Sequence, residues 1–215
     1  GRAERIRCAP TICLAPRHDP FSAATAVAPA SLLSGGRVVC GLSAGWLKEE
    51  FDMVGVPFET RGQRLNELIA AMRLLWTGQP VSFEGQHVRF PEVILSPAPK
   101  GEIPIWCGGG SAAAMRRTAE HCQGWLGLWY PADKAIEAVT QLKAMRAESS
   151  RNNEPLDALV GLVGKPDAGT LTQLEAAGLT GIIATPWQMD DARVQSLEAK
   201  QAAIAFDNAP GIGRP

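Results

Sequence analysis

Two hydrophobic patterns alternate along this chain. Short, nearly continuous apolar runs at residues 6–14, 38–42, 103–107, 124–129, 156–163 and 181–184 read as strands. Between them lie helical patterns at 21–33, 61–76, 111–121, 133–148, 168–177 and 191–206. The clearest is 61–76, where Leu65, Leu68, Ile69, Met72, Leu75 and Trp76 fall at i, i+3, i+4, i+7, i+10 and i+11 and share one face. Arg64, Glu67 and Arg73 are left for the wet side. Pro29 removes a hydrogen bond from the 21–33 helix and is expected to kink it. Gly178 suits a left-handed helix stop, and Asp190 or Asp191 an N-cap. The stretch 81–100 breaks the rhythm: 81–83 and 88–90 flank Glu84-Gly85-Gln86 as a small hairpin, followed by an extended segment punctuated by Pro91, Pro97 and Pro99. The alternation predicts parallel strands, because a parallel pair needs a crossover. A doubly wound sheet and a (β/α)8 barrel both accommodate the pattern.

Composition narrows the class. At 215 residues, 46% hydrophobic and 20% charged, the chain reads as one globular domain. Lys+Arg 21 against Asp+Glu 22 leaves no basic excess for a nucleic-acid backbone. No apolar run approaches the roughly 18 residues of a membrane helix. The opening Gly1-Arg2-Ala3-Glu4-Arg5 has no apolar core behind its charges, so a secretory leader is not expected. Cys8, Cys13, Cys40, Cys107 and Cys122 form no Cys-x-x-Cys pair and read as buried thiols in a reducing cytoplasm. No histidine pair has metal-ligand spacing, and no Gly-x-Ser-x-Gly elbow is present.

Chemistry concentrates at two strand ends. The apolar 103–107 run enters Gly108-Gly109-Gly110 and then a helix opening at Ser111. Glycines let a phosphate approach the backbone, the first helical N–H groups point at it, and Ser111 adds a donor; the bland alternative is a flexible turn with Ser111 as an N-cap. Gly41-Leu42-Ser43-Ala44-Gly45-Trp46 leaves space for a planar ring, with Trp46 as a wall or, equally, as core. Glu49 and Glu50 read as helix-dipole partners rather than general acids. His18 sits in a loop after the first strand, His87 beside the hairpin turn, and His121 near a helix end where a cation suits the dipole. Four of the six tryptophans lie at or just beyond predicted strand ends, where a flat aromatic ligand is boxed.

Taken in order, these segments resemble the bacterial luciferase-like superfamily, within it the branch of coenzyme F420-dependent oxidoreductases. The likeness runs through Arg5-Ile6-Arg7, Leu33-Ser34-Gly35-Gly36-Arg37, residues 41–51, Val56-Pro57-Phe58-Glu59-Thr60-Arg61, Leu75-Trp76-Thr77-Gly78, Phe83-Glu84-Gly85, residues 104–111 and Gly124-Trp125. It implies an α/β fold, a (β/α)8 TIM barrel occupying 1–207 with an insertion at about 81–100 and a tail at 208–215. On that template the six strands are the third through eighth, so the barrel is partial and lacks its first two βα units. The resemblance further implies that Gly108, Gly109, Gly110 and Ser111 hold a cofactor phosphate. Ser43, Gly45 and Trp46 would lie along the ring and side chain, and Thr11 and Cys13 beneath the ring, where the third strand often carries a non-proline cis peptide. The chain departs from the family here, with Ala9-Pro10-Thr11 where Gly-Thr-Gly is usual, and Pro10 offers an easy cis bond. Luciferases proper place an Arg where Ala44 stands, which favours F420 over FMN. The implied activity is hydride transfer between F420 and a small organic substrate in the cytoplasm, by a homodimer without nucleic-acid or membrane partners. FMN-dependent monooxygenation, or cofactor binding without catalysis, is the alternative. No catalytic residue is assigned; His18 is the only guess.

Overall fold

A computed structural model describes residues 5–183. In chain order the elements are α1 (Pro20–Ser34), β1 (Cys40–Leu42), α2 (Lys48–Asp52), α3 (Arg61–Trp76), β2 (Val81–Glu84), β3 (Arg89–Val93), β4 (Ile105–Gly108), α4 (Ala112–His121), β5 (Gly124–Tyr130), α5 (Ala132–Glu148), β6 (Asp157–Leu162), α6 (Ala168–Ala177) and β7 (Gly181–Ile182). Single-turn 3-10 segments at Ala15–Arg17 and Phe58–Thr60 precede α1 and α3. The predicted helix at 191–206, the possible N-caps Asp190 and Asp191, and the tail at 208–215 lie outside the described residues.

The sheet runs β1-β4-β5-β6-β7, and every pair is parallel. Each strand lies beside the one that precedes it in the parallel series, so the order never reverses. A doubly wound sheet reverses at a switch point, whereas a barrel advances in one direction. The strand order therefore selects the barrel, and among the described residues that barrel is not closed.

The predicted first strand is only partly formed. Residues 8–13 touch β1 through two isolated bridges, Cys8 to Val38 and Cys13 to Leu42. Pro10, between them, has no N–H to give a ladder. The chain is nevertheless held at both ends: Cys8 N–H donates to Arg37 O at 2.8 Å and Cys13 N–H to Gly41 O at 2.9 Å. The cis bond in this segment is Thr11–Ile12, one residue beyond the proline.

Helix ends follow their sequence signals. Asp19 accepts from Ser22 N–H at 2.8 Å, Ser111 from Ala114 N–H at 3.3 Å and Asp167 from Thr170 N–H at 2.7 Å. Gly35 and Gly178 stop α1 and α6 in the left-handed region. Pro29 is carried within α1, which continues past it to Ser34.

Side chains of the sheet alternate between two layers. Cys40, Leu42, Ile105 and Cys107 face the helices, where all six residues of the predicted α3 stripe are buried. Trp125, Ala158 and Val160 pack outward against α4, α5 and α6 in a second cluster. The fully buried Leu, Ile, Val and Met side chains among them each contribute about 1.5–3 kcal/mol of transfer free energy. Val39, Trp106 and Leu126 face the other way, toward the barrel interior, with Ala9, Ile12, Leu159 and Ile183.

The hairpin β2–β3 stands apart as its own antiparallel pair and stacks Phe83 on Phe90. Glu67 on the flank of α3 secures its turn, accepting from the N–H groups of Gln86, His87 and Val88 at 3.0, 2.8 and 2.8 Å. Arg64 donates to His87 O at 2.7 Å and to Pro16 O at 2.8 Å.

Two assignments change. Cys40, Cys107 and Cys122 are buried as expected, but Cys8 and Cys13 are exposed because they lie on the open edge of the sheet. His121 does not serve as the cation at the α4 terminus. Burial depresses its pKa first, with Arg73, Arg117 and Arg151 adding to the depression against Glu120. The carbonyls there are instead taken by arginines: Arg73 donates to His121 O at 2.6 Å and Arg146 to Ala119 O at 2.7 Å.

Candidate functional site

The C-terminal ends of the parallel strands open into one cleft of about 690 Å³. This is the end at which barrels carry ligands. Ser43, Gly45, Trp46, Gly108, Gly109, Gly110 and Ser111 all line it. Thr11 and Cys13 do not. Their neighbours Ile12 and Leu14 line it instead, because successive side chains of an extended segment point to opposite faces and Ile12 is the one turned inward. Thr11 packs over Gly41, whose bare Cα leaves room for it. His18 is exposed and lies outside the cleft.

The glycine loop is braced rather than slack. A methyl group on Gly108 would lie 2.4 Å from the Ile12 Cδ1 atom, so the glycine permits the two segments to close. Gly109 has φ +126°, in the region that favours glycine. Its carbonyl accepts from the Trp125 indole N–H at 2.8 Å. With that carbonyl turned away and Ser111 capping α4, the N–H groups that open the helix are presented to the cleft, the arrangement that favours an anion.

On the β1 side, Gly45 has φ +83° and its N–H donates to Ser43 Oγ at 3.3 Å. A methyl group there would sit 2.8 Å from the Phe51 ring. Trp46 is 80% exposed at the rim and Trp129, 59% exposed, at the far wall. Trp129 takes φ +64°, uncommon for an aromatic residue. Together with Leu128 and Tyr130 they make an apolar, aromatic mouth. Glu49 and Glu50 stand in the first turn of α2, as expected of dipole partners, and Glu50 pairs with Arg17 at 3.0 Å.

Among the polar lining residues, Glu59, Arg61, Arg117 and Tyr130 were not singled out as site residues from the sequence. Arg61 donates to Gly45 O at 3.2 Å and Phe58 O at 2.9 Å, with its guanidinium 3.7 Å from the Phe58 ring centre. Arg117 is buried and ties α4 to α3 through Asn66 Oδ1 and, at 3.0 Å, Gly62 O. Its signal in the sequence is a charge among Ala114, Met115, Thr118 and Ala119, the buried positions of α4. Among the described residues no group of His, Cys, Asp and Glu is arranged to hold a metal, and no helix is long and apolar enough to cross a membrane.

Comparison with known proteins agrees with this geometry. The profile of the luciferase-like monooxygenase family matches residues 1–164. An uncharacterized protein of Mycobacterium tuberculosis (strain ATCC 25618 / H37Rv) is 31% identical over 168 residues, 78% of this chain and 58% of that protein. An F420-dependent glucose-6-phosphate dehydrogenase of Nocardia farcinica is 29% identical over 171 residues, 74% of this chain and 50% of that one. An FMNH(2)-dependent dimethylsulfone monooxygenase of Pseudomonas putida is 30% identical over 139 residues, 62% of this chain and 38% of that one. Among solved structures, the coenzyme F420 dependent tetrahydromethanopterin reductase from Methanopyrus kandleri superposes with a TM-score of 0.75 at 15% identity, covering 96% of this chain and 82% of that one. The chain thus spans only part of the length of its curated relatives. On the strength of the profile match it belongs to the luciferase-like monooxygenase family.

Proposed function

We propose that this chain is the cofactor-binding part of an F420-dependent oxidoreductase acting on a small organic substrate. The carrying observation is the braced Gly108–Ser111 loop, which opens α4 into a cleft with aromatic walls. Its parts fit a ribityl-phosphate chromophore: N–H groups at a helix N-terminus for the phosphate, bare glycine backbone for close approach, and a planar slot between Ile12 and the tryptophans of the rim. A bound deazaflavin supplies two-electron hydride chemistry. The chain's own contribution is to hold the phosphate by Gly109, Gly110 and Ser111, to set the ring's depth by Ile12, Ser43 and Gly45, and to limit water at the mouth by Trp46 and Trp129. Ala44 stands where luciferases proper carry an Arg, which supports F420 over FMN, although Arg61 and Arg117 also line the cleft and are engaged with backbone carbonyls of the protein. This reading includes a homodimeric assembly, and it assigns no acid or base.

Titration of the protein with F420 and, separately, FMN, following cofactor fluorescence, tests the reading. Saturable F420 binding, weakened at least about tenfold by Gly110→Asp through like-charge repulsion and the collision of the new side chain with Tyr130, is expected. Binding of FMN alone would move the assignment to a flavin monooxygenase, in keeping with the relative that uses FMNH(2). Binding of neither would overturn it.

A further inference from the structure

Tyr130, at the end of β5, projects toward the glycine loop. A methyl group on Gly110 would lie 2.2 Å from its hydroxyl oxygen and 3.4 Å from Cζ, so the phenol occupies the space a side chain would take. The ring is held edge-on to Trp125 at 5.6 Å between centres, and the same indole donates to Gly109 O at 2.8 Å. One tryptophan therefore fixes both the loop and the phenol beside it. The Tyr130 hydroxyl lines the cleft, yet it has no hydrogen-bond partner among the described residues. Burial raises its pKa above the usual value, so it stays a neutral O–H donor through physiological pH. The hydroxyl thus stands beside Gly110 with its donor free for a ligand held at the glycine loop.

Resting on the cofactor-phosphate reading above, we propose that Tyr130 is a side-chain ligand of the phosphate, donating from beside Gly110. The test compares ligand pairs that differ only beyond the ribityl chain: F420 with its phosphate-free deazaflavin chromophore, and FMN with riboflavin. Affinities are measured by fluorescence for the wild type and Tyr130→Phe. The phenylalanine keeps the ring on Trp125 and removes only the hydroxyl. A loss of about tenfold for the phosphate-bearing member of the pair that binds, with its phosphate-free partner unchanged, is the expected result. Equal affinities of wild type and variant for the phosphate-bearing ligand would overturn the proposal. So would an equal loss on both members, which marks a packing role. A wild type that does not prefer the phosphate-bearing member would overturn the loop reading itself, an outcome visible before the variant is made.

Discussion

At the scale of single residues, this site depends on positions where a side chain is missing. Gly45 combines a left-handed backbone with the Phe51 ring 2.8 Å from where a Cβ would stand. Gly45→Ala therefore meets two costs at once, backbone strain and a collision with a fully buried aromatic ring. The expected loss is about 1–3 kcal/mol of stability, read from the midpoint shift in urea. The change should also weaken cofactor binding, since Arg61 is anchored on the Gly45 carbonyl. The glycine-rich character of 41–45 and 108–110 is plain in the sequence. Which glycine makes room for which neighbour is not, because Ile12, Phe51 and Tyr130 approach from segments distant along the chain.

At the scale of elements, α3 is the organising helix. Its apolar stripe packs on the sheet, and Trp76 donates to Ala24 O at 3.1 Å to fix α1. Its polar flank does work that the stripe alone does not suggest. Glu67, expected on the wet side, gathers three N–H donors of the hairpin turn. Burial opposes its ionisation, but the hydrogen bonds from His87, Val88 and Gln86 outweigh it and hold the carboxyl below the ordinary carboxylate range. A depressed folded-state pKa means the stabilisation is fully present above the unfolded value of about 4.3 and is lost as pH falls through the folded value. Amide protection at Gln86, His87 and Val88 should accordingly fall on acidification below about pH 4. Glu67→Gln should flatten that dependence and lower protection near neutrality, measured by hydrogen exchange. Helix α3 itself was legible to the residue, since a 3.6-residue stripe with a clear stop is a local signal. The predicted first strand was not, because Pro10 denies it a continuous ladder whatever its hydrophobicity.

At the scale of the whole molecule, the sheet advances in one direction and, among the described residues, runs from the 8–13 segment to β7. One edge is the 8–13 segment, where Arg7 reaches across to Asp157 at 3.4 Å and lies 5.4 Å from the Trp106 ring. Arg7 is half exposed and Asp157 partly so, and at 3.4 Å in contact with solvent this link is worth little. The edge has a direct chemical readout. Cys8 and Cys13 are exposed on it, while Cys40, Cys107 and Cys122 are buried in the layer beneath the helices. Cys8 should react rapidly with a thiol reagent under native conditions, Cys13 more slowly because desolvation raises its thiol pKa against the opposing charge of Arg17, and the other three only on unfolding. Burial also pushes the Cys40 thiol up to about 12, which keeps it protonated and slow. Rapid labelling of Cys40 would contradict the described layering.

What the sequence by itself determined is the alternation of strands and helices from 38 to 182, the Ser111 cap, the glycine stops after α1 and α6, the buried stripe of α3 and the two glycine-rich strand ends. Each is set by residues a few positions apart, so hydrophobic period, proline and glycine report it directly. Whether the strands wind in one direction or reverse was left open, and only the tertiary structure chose, because strand neighbours are separated by whole helices. The same holds at the site. Ile12 and Leu14 face the cleft where Thr11 and Cys13 were expected, since the inward face of an extended segment is decided by which side meets Trp106 and Leu126. Arg117 and Tyr130 join the glycine loop only once α3, α4 and β5 are packed together.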